Sequence, residues 1–291
     1  MTPVSKKNNK YFSVFYNNFF LPTLLNNVVK PIAESLEKNG FVVIISFNSY
    51  NGDNIRLAIM RPLIQENYIQ NVNIKLNIKN IYEFLKGYPS PDNNRNFIGN
   101  ELFMPFRNNT IRFNLFTYDG INDNVLLLKH SITKYIISFF EGEETYHESS
   151  KILLTTQILR AFESVLINNN LSTPRNIYDG YKIVYCKKRS VHQAEENIHN
   201  FDILFQENVS ILLEMSKAIF DASSIDDIDI MLLKDALSRL INNDTMLKQG
   251  QYMFELINYL ISEQLDITDE ILLGSYYLIY KCDTVDNSLN K

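Results

Sequence analysis

The stretch FVVIISFNSYNGDNIRLAIM, residues 41–60, decides the reading of this chain. Its first seven residues are a continuous apolar run, which suits a strand covered on both faces. Asn51-Gly52 then supplies a strong two-residue turn signal. After the turn Ile55, Leu57 and Ile59 alternate with Arg56, Ala58 and Met60, so a returning strand has one apolar face and carries Arg56 on the other. The expectation is a β-hairpin with an arginine in its second arm.

Working outward, residues 21–40 hold Leu24, Leu25, Val28, Val29, Ile32 and Leu36 at helical spacing, interrupted by Pro31 and ended by Gly40, which predicts a kinked helix or two short ones. Val72, Ile74, Leu76 and Ile78 alternate and read as a strand, followed by the short helical stretch IYEFLKGY. Residues 102–107 and 110–118, rich in aromatic and β-branched side chains, read as another hairpin across Asn108-Asn109. From about residue 124 the apolar period becomes helical, with segments near 124–140, 150–168, 200–221, 226–242, 246–263 and 268–281. Between them YKIVYC, residues 181–186, is a candidate strand returning to the first sheet. The fold class expected is α+β: a mixed or antiparallel sheet in a strand-rich half, 1–120, and a mainly helical half, 121–291. With no repeat period visible, both halves are expected to share one core as a single domain.

Composition narrows the function. At 291 residues with 45% hydrophobic and 21% charged residues the balance is that of an ordinary folded domain. A net charge of -5 argues against a broad nucleic-acid surface; the one basic cluster, Lys187-Lys188-Arg189, reads as a solvated loop or strand end. No apolar run approaches the roughly 20 residues a bilayer requires, so no membrane span is expected. Two cysteines about a hundred residues apart and a start without a secretory apolar region favour a cytoplasmic setting.

Glycine is too scarce for a phosphate-cradling loop, and no G-x-S-x-G elbow is present. His130, His147, His192 and His199 form no zinc spacing, so no metal is expected. Tyrosine is abundant, with 17 copies, and Gly274-Ser275-Tyr276-Tyr277-Leu278-Ile279-Tyr280 concentrates hydroxyls on the last helix. That stretch reads either as packing or as a source of proton donors and acceptors.

The hairpin of residues 41–60, preceded by LLNNVVKPIAESLEKNG, resembles the start of the thiopeptide-type bacteriocin biosynthesis family, which includes the elimination domain of lantibiotic dehydratases. Three further stretches follow the order of that family: ELFMPFRNNTIRFNLFTYD, YHESSKILLTTQILRAF and SYYLIY. In the dehydratase branch the resemblance implies removal of glutamate from glutamylated Ser or Thr. This chain departs from that branch: the first hairpin arginine is Ser46, the turn histidine is Asn54, and of the R-L-R pair only Arg56 survives, with Ala58 in the second place. Thr117-Tyr118 is followed by DGINDN rather than E-x-x-R, and Leu278 stands where a histidine is expected.

Such departures suit the pyridine synthase branch, which joins two dehydroalanines of a modified precursor peptide in a formal aza-[4+2] cycloaddition. Water and the leader peptide are then lost as the central ring of a thiopeptide becomes aromatic. The resemblance implies Arg56, Ser275, Tyr276 and Tyr280 as catalytic candidates, and Ser46, Asn54 and Tyr118 as substrate-binding ones. It implies no cofactor, because the ring chemistry is redox neutral, and a leader-bearing precursor peptide as partner, with other maturation enzymes as further candidates. Three alternatives stay open: a glutamate-elimination partner of a split dehydratase, a non-catalytic leader-binding scaffold, or a host-interaction protein unrelated to the family.

Overall fold

The computed structural model describes residues 9–60, 74–91, 106–171, 178–182, 185–186, 191–221, 228–243 and 250–289. Its packing divides the chain into two compact units, Met1–His147 and Glu148–Lys291. The first carries a four-stranded sheet and the second is built of helices, so the α+β expectation holds. Strands give way to helices at Asp123, while the helix Asp123–Phe139 still packs with the sheet in the first unit.

The sheet runs β2-β3-β1-β4, where β1 is Lys10–Phe15, β2 Val42–Asn48, β3 Asn54–Met60 and β4 Thr110–Phe113. Every pairing is antiparallel. The β2–β3 hairpin stands where its sequence placed it, and both Asn51 (φ 61°) and Gly52 (φ 110°) take left-handed backbone in its turn. A Cβ on Gly52 would also lie 3.1 Å from the Phe106 carbonyl oxygen. The central strand β1 went unread in the sequence, although KYFSVF buries five of its six residues.

One sheet face is apolar: Phe12 and Val14, Val43, Ile45 and Phe47, and Ile55, Leu57 and Ile59 all point to it and all are buried. The outer edge of β2, which would otherwise offer unpaired backbone groups, is closed by side chains of α4 (Asp123–Phe139). There Thr133 Oγ1 accepts from the Ile45 amide at 2.8 Å and His130 Nδ1–H donates to the Val43 carbonyl at 2.7 Å. The first helical segment comprises α1 (Leu21–Leu24), a π-helical turn (Leu25–Val29) and α2 (Lys30–Lys38). The wide turn sits just before Pro31, whose missing N–H breaks the regular ladder, so the expected kink takes the form of a π-bulge.

Three sequence readings are corrected. The alternation at 74–78 belongs to a helix, α3 (Ile74–Gly87): its buried face is Asn77, Ile81 and Leu85, spaced by four, while Leu76 faces solvent. Of the second hairpin, β4 is the one strand among the described residues, and it pairs with β1. Phe106–Asn109 is not a strand, Asn109 and Asn114 turn the chain with positive φ, and residues 101–105 lie outside those described. YKIVYC is helical where described, at 181–182 and 185–186, and its Tyr181 and Tyr185 are buried at the three- and four-residue spacing that begins with Tyr178 just before it. The Lys187-Lys188-Arg189 cluster lies outside the described residues.

The helical unit comprises α5 (Glu148–Asn168), α6 (Val191–Glu207), α7 (Val209–Asp221), α8 (Ile228–Asn243), α9 (Gly250–Leu265) and α10 (Asp269–Leu289). The segment expected at 200–221 is thus two helices meeting at Asn208. Helix α10 packs along α5 and α6, and Gly274 permits the closest approach: a Cβ there would fall 1.9 Å from Phe201 Cζ. No described helix is long and apolar enough to cross a membrane.

Candidate functional site

The second sheet face carries a polar row. Ser46 on β2 lies directly opposite Arg56 on β3, Arg56 opposite Ser13 on β1, and Ser13 opposite Arg112 on β4. Opposed residues of antiparallel strands share a face with Cβ atoms about 5 Å apart, so these four side chains form a continuous line across the sheet. Asn54 sits one pleat further along the same face, and Tyr118 reaches it from the chain after β4, its hydroxyl 3.3 Å from Ser46 Oγ. The structure therefore brings together Ser46, Asn54, Arg56 and Tyr118, all singled out from the sequence.

It also adds three residues that sequence reasoning missed. Ser13 is 1% exposed and its hydroxyl has no hydrogen-bond partner. Arg112 extends the row to the sheet edge. Lys129 of α4 is buried at 2% exposure with Nζ 5.0 Å from the centre of the Tyr118 ring. Each left a faint mark in the sequence: a serine inside an apolar strand, an arginine inside an aromatic one, a lysine inside LLLKHSI. Only the register shows that Ser13 and Arg112 join Arg56.

Arg56 is partly exposed and its guanidinium lies 5.4 Å from the centre of the Phe116 ring. It makes no hydrogen bond or ion pair among the described residues, so the salt bridge that would make it merely structural is absent. Asn54 Nδ2 donates to the Asn48 and Gly52 carbonyls, which ties the hairpin turn, while its Oδ1 is buried without a partner. Buried hydroxyl and amide oxygens left unpaired cost about 1–3 kcal/mol each, and a water molecule or a ligand group can complete them. Close by, Tyr11 donates to Asp119 Oδ1 at 2.6 Å; burial and that carboxylate hold its phenol above the usual range.

Ser275, Tyr276 and Tyr280 belong to the helical unit. Ser275 is wholly buried, with an unpartnered hydroxyl. Tyr276 is buried and donates to Asn258 Oδ1 at 2.9 Å, and burial drives its pKa well upward. Tyr280, one helical turn on, is partly exposed and stacks on Tyr178 with ring centres 4.8 Å apart. Between them in sequence, Tyr277 donates to Asp202, which also pairs with Lys281. Of the three candidates on α10, Tyr280 alone offers its ring to solvent.

The helical core also holds a buried ion cluster. Arg160 donates to Glu163 Oε2 and to Asp283 Oδ1, each at 2.7 Å, and lies over the Phe220 ring. One cation faces two carboxylates in a buried setting, so Glu163 is pushed up to about 7 by burial, with Arg160 opposing that rise and Asp283 adding to it. Among the described residues no group of three or more His, Cys, Asp or Glu could hold a metal.

A hairpin-centred antiparallel sheet joined in sequence to an array of helices is a fold found also in a solved pyridine synthase. The likeness is to the pyridine synthase TbtD from thiomuracin biosynthesis, with a TM-score of 0.68 over 97% of this chain and 99% of that one at 14% sequence identity. At that identity the likeness establishes the fold. No protein-family model matches the chain, and no curated protein matches it in sequence.

Proposed function

We propose that this protein is a thiopeptide maturation enzyme that forms a central pyridine ring from two dehydroalanines of a leader-bearing precursor peptide. The observation that carries this reading is the fold shared with TbtD along nearly the whole of both chains. The arginine of the hairpin, on a polar sheet face and without a hydrogen-bond or ion-pair partner among the described residues, supports it with suitable chemistry.

In the reaction, the amide preceding one dehydroalanine acts as its imidic-acid tautomer, giving a C=N–C=C unit that adds across the second alkene. Two new bonds close a six-membered ring that bears a hydroxyl and the leader-linked nitrogen. Loss of water and then of the leader as its amide leaves the aromatic pyridine, with no net oxidation. Arg56 is placed to hydrogen-bond the amide oxygen as it becomes the imidic hydroxyl, and its fixed cation stabilises negative charge there. Ser46 and Tyr118, already within reach of each other, supply hydroxyls that can hand a proton to and from that oxygen. Asn54 orders the turn and offers an acceptor for a substrate N–H.

Holding both alkenes in contact is the larger task, and good orientation contributes up to about 7–11 kcal/mol in such reactions. Tyr280 is the candidate on α10 best exposed to act on a substrate. Ser275 and Tyr276 act from buried positions, Tyr276 through its bond to Asn258. The leader peptide and, with it, other maturation enzymes are the partners this role requires.

The test is incubation of the purified protein with a leader-bearing peptide that contains two dehydroalanines at macrocycle spacing, followed by mass spectrometry. Release of leader amide with a cyclic product absorbing as a pyridine is expected. An unchanged peptide that still binds would instead assign the chain a scaffold role, and a linear product with a new dehydroalanine would assign it elimination.

A further inference from the structure

Arg112 was assigned no part in the reading above, yet it ends the polar row. It lies directly opposite Ser13, as Arg56 does from the other side. The two arginines are therefore two strand spacings apart, about 10 Å between Cα atoms, with a buried and unpartnered hydroxyl between them. Each guanidinium rests on a phenyl ring, Arg56 on Phe116 at 5.4 Å and Arg112 on Phe106 at 4.9 Å. A ring fixes the plane of the fork but leaves its N–H edges free to donate.

Neither arginine has a carboxylate partner among the described residues. That is a local exception in an acid-rich chain of net charge -5, where Arg160 and Arg239 are each paired with carboxylates. Two oriented, uncompensated forks flanking an unsatisfied hydroxyl are a site for an anion. Arg112 is exposed and β4 is an edge strand, so a ligand can reach the site. The overall negative charge disfavours a nucleic acid as that ligand.

We propose that Arg112, Ser13 and Arg56 form a carboxylate clasp that selects an acidic side chain in the peptide bound by this protein. The clasp rests on the reading that the ligand is a peptide, and it makes Arg112 a specificity residue rather than a catalytic one. Arg56 has donors on two edges, so one can serve the clasp and the other the reacting amide.

The probes are two fluorescein-labelled peptides, Gly-Ser-Ala-Glu-Ala-Glu-Ala-Ser-Gly and the same sequence with glutamine at both glutamates, followed by fluorescence anisotropy at low ionic strength. The wild-type protein is expected to bind the glutamate peptide more tightly than its amide twin. Arg112→Gln should weaken glutamate binding by about tenfold, the worth of a charge-assisted hydrogen bond, and leave the glutamine peptide unaffected. Arg112→Lys, which keeps charge but loses the fork, should fall between. Equal binding of the two peptides, no binding of either, or an unaltered affinity in Arg112→Gln would each overturn the clasp. Because neither probe contains dehydroalanine, the result is independent of whether the chain closes a pyridine ring.

Discussion

The two units treat their arginines in opposite ways. In the helical unit the buried charges are matched: Arg160 holds Glu163 and Asp283, and Tyr276 and Tyr277 each donate to a named acceptor. On the sheet face Arg56, Arg112 and the Ser13 hydroxyl have no hydrogen-bond or ion-pair partner among the described residues. The helical unit engages its buried arginine internally, whereas the sheet face holds two arginine forks with no carboxylate partner among the described residues. The proposed binding and chemistry rest chiefly on the sheet face, and substitutions in the two units should differ in kind.

The largest loss of stability is expected from Arg160→Ala, which strands two carboxylates in the helical core. Removing one partner from a buried ion cluster costs about 3–5 kcal/mol, to be read from denaturant unfolding. Gly274→Ala should follow, at about 1–3 kcal/mol, since the new methyl group displaces the Phe201 ring. Retention of the wild-type melting temperature in that variant would show that α6 and α10 do not meet as described. Thr133→Val removes the acceptor of the buried Ile45 amide and should cost about 1–2 kcal/mol, read in the same way.

The smallest effects are on pH dependence, and they run in opposite directions. Glu163 keeps its proton in the fold up to about pH 7, above the usual carboxylate range. The native state then binds more protons than the unfolded chain, so this contribution is full below about pH 4.3 and is lost as pH rises toward 7. His130 behaves oppositely: burial depresses its pKa against the pull of the Val43 carbonyl and Glu37, with Lys134 adding to the depression. Here the unfolded chain binds more protons, so stability is lost as pH falls below about 6.5. Glu163→Gln should flatten the first dependence and His130→Asn the second, measured as unfolding midpoints between pH 4 and 8. Unchanged profiles would remove these groups as the cause.

Much of this contrast was legible in the sequence, and the reasons for the failures are physical. The β2–β3 hairpin could be read because its turn chemistry and its apolar pattern agree. Residues 74–78 could not, since a short alternation fits either period until a third element shows which face is covered. Arg56, Ser46, Asn54 and Tyr118 are candidates singled out by resemblance, and the sheet brings them together, but Ser13 and Arg112 depend on strand register, which no local pattern encodes. The burial of Ser275 and Tyr276 was hidden for a similar reason: α10 is apolar on most sides, so its sequence does not distinguish a packed hydroxyl from an exposed one.

The most direct measurement compares the rates at which wild-type protein and Arg56→Gln convert a leader-bearing peptide with two dehydroalanines, followed by liquid chromatography with mass and absorbance detection. Wild type should release leader amide and a pyridine-absorbing product, while Arg56→Gln should slow this by about 10²–10³ with thermal unfolding unchanged, as expected when one oriented donor to a developing oxyanion is lost. A wild-type protein that leaves the peptide intact, or a variant that works at the wild-type rate, would contradict the assignment of the sheet face as the working site of a pyridine-forming enzyme.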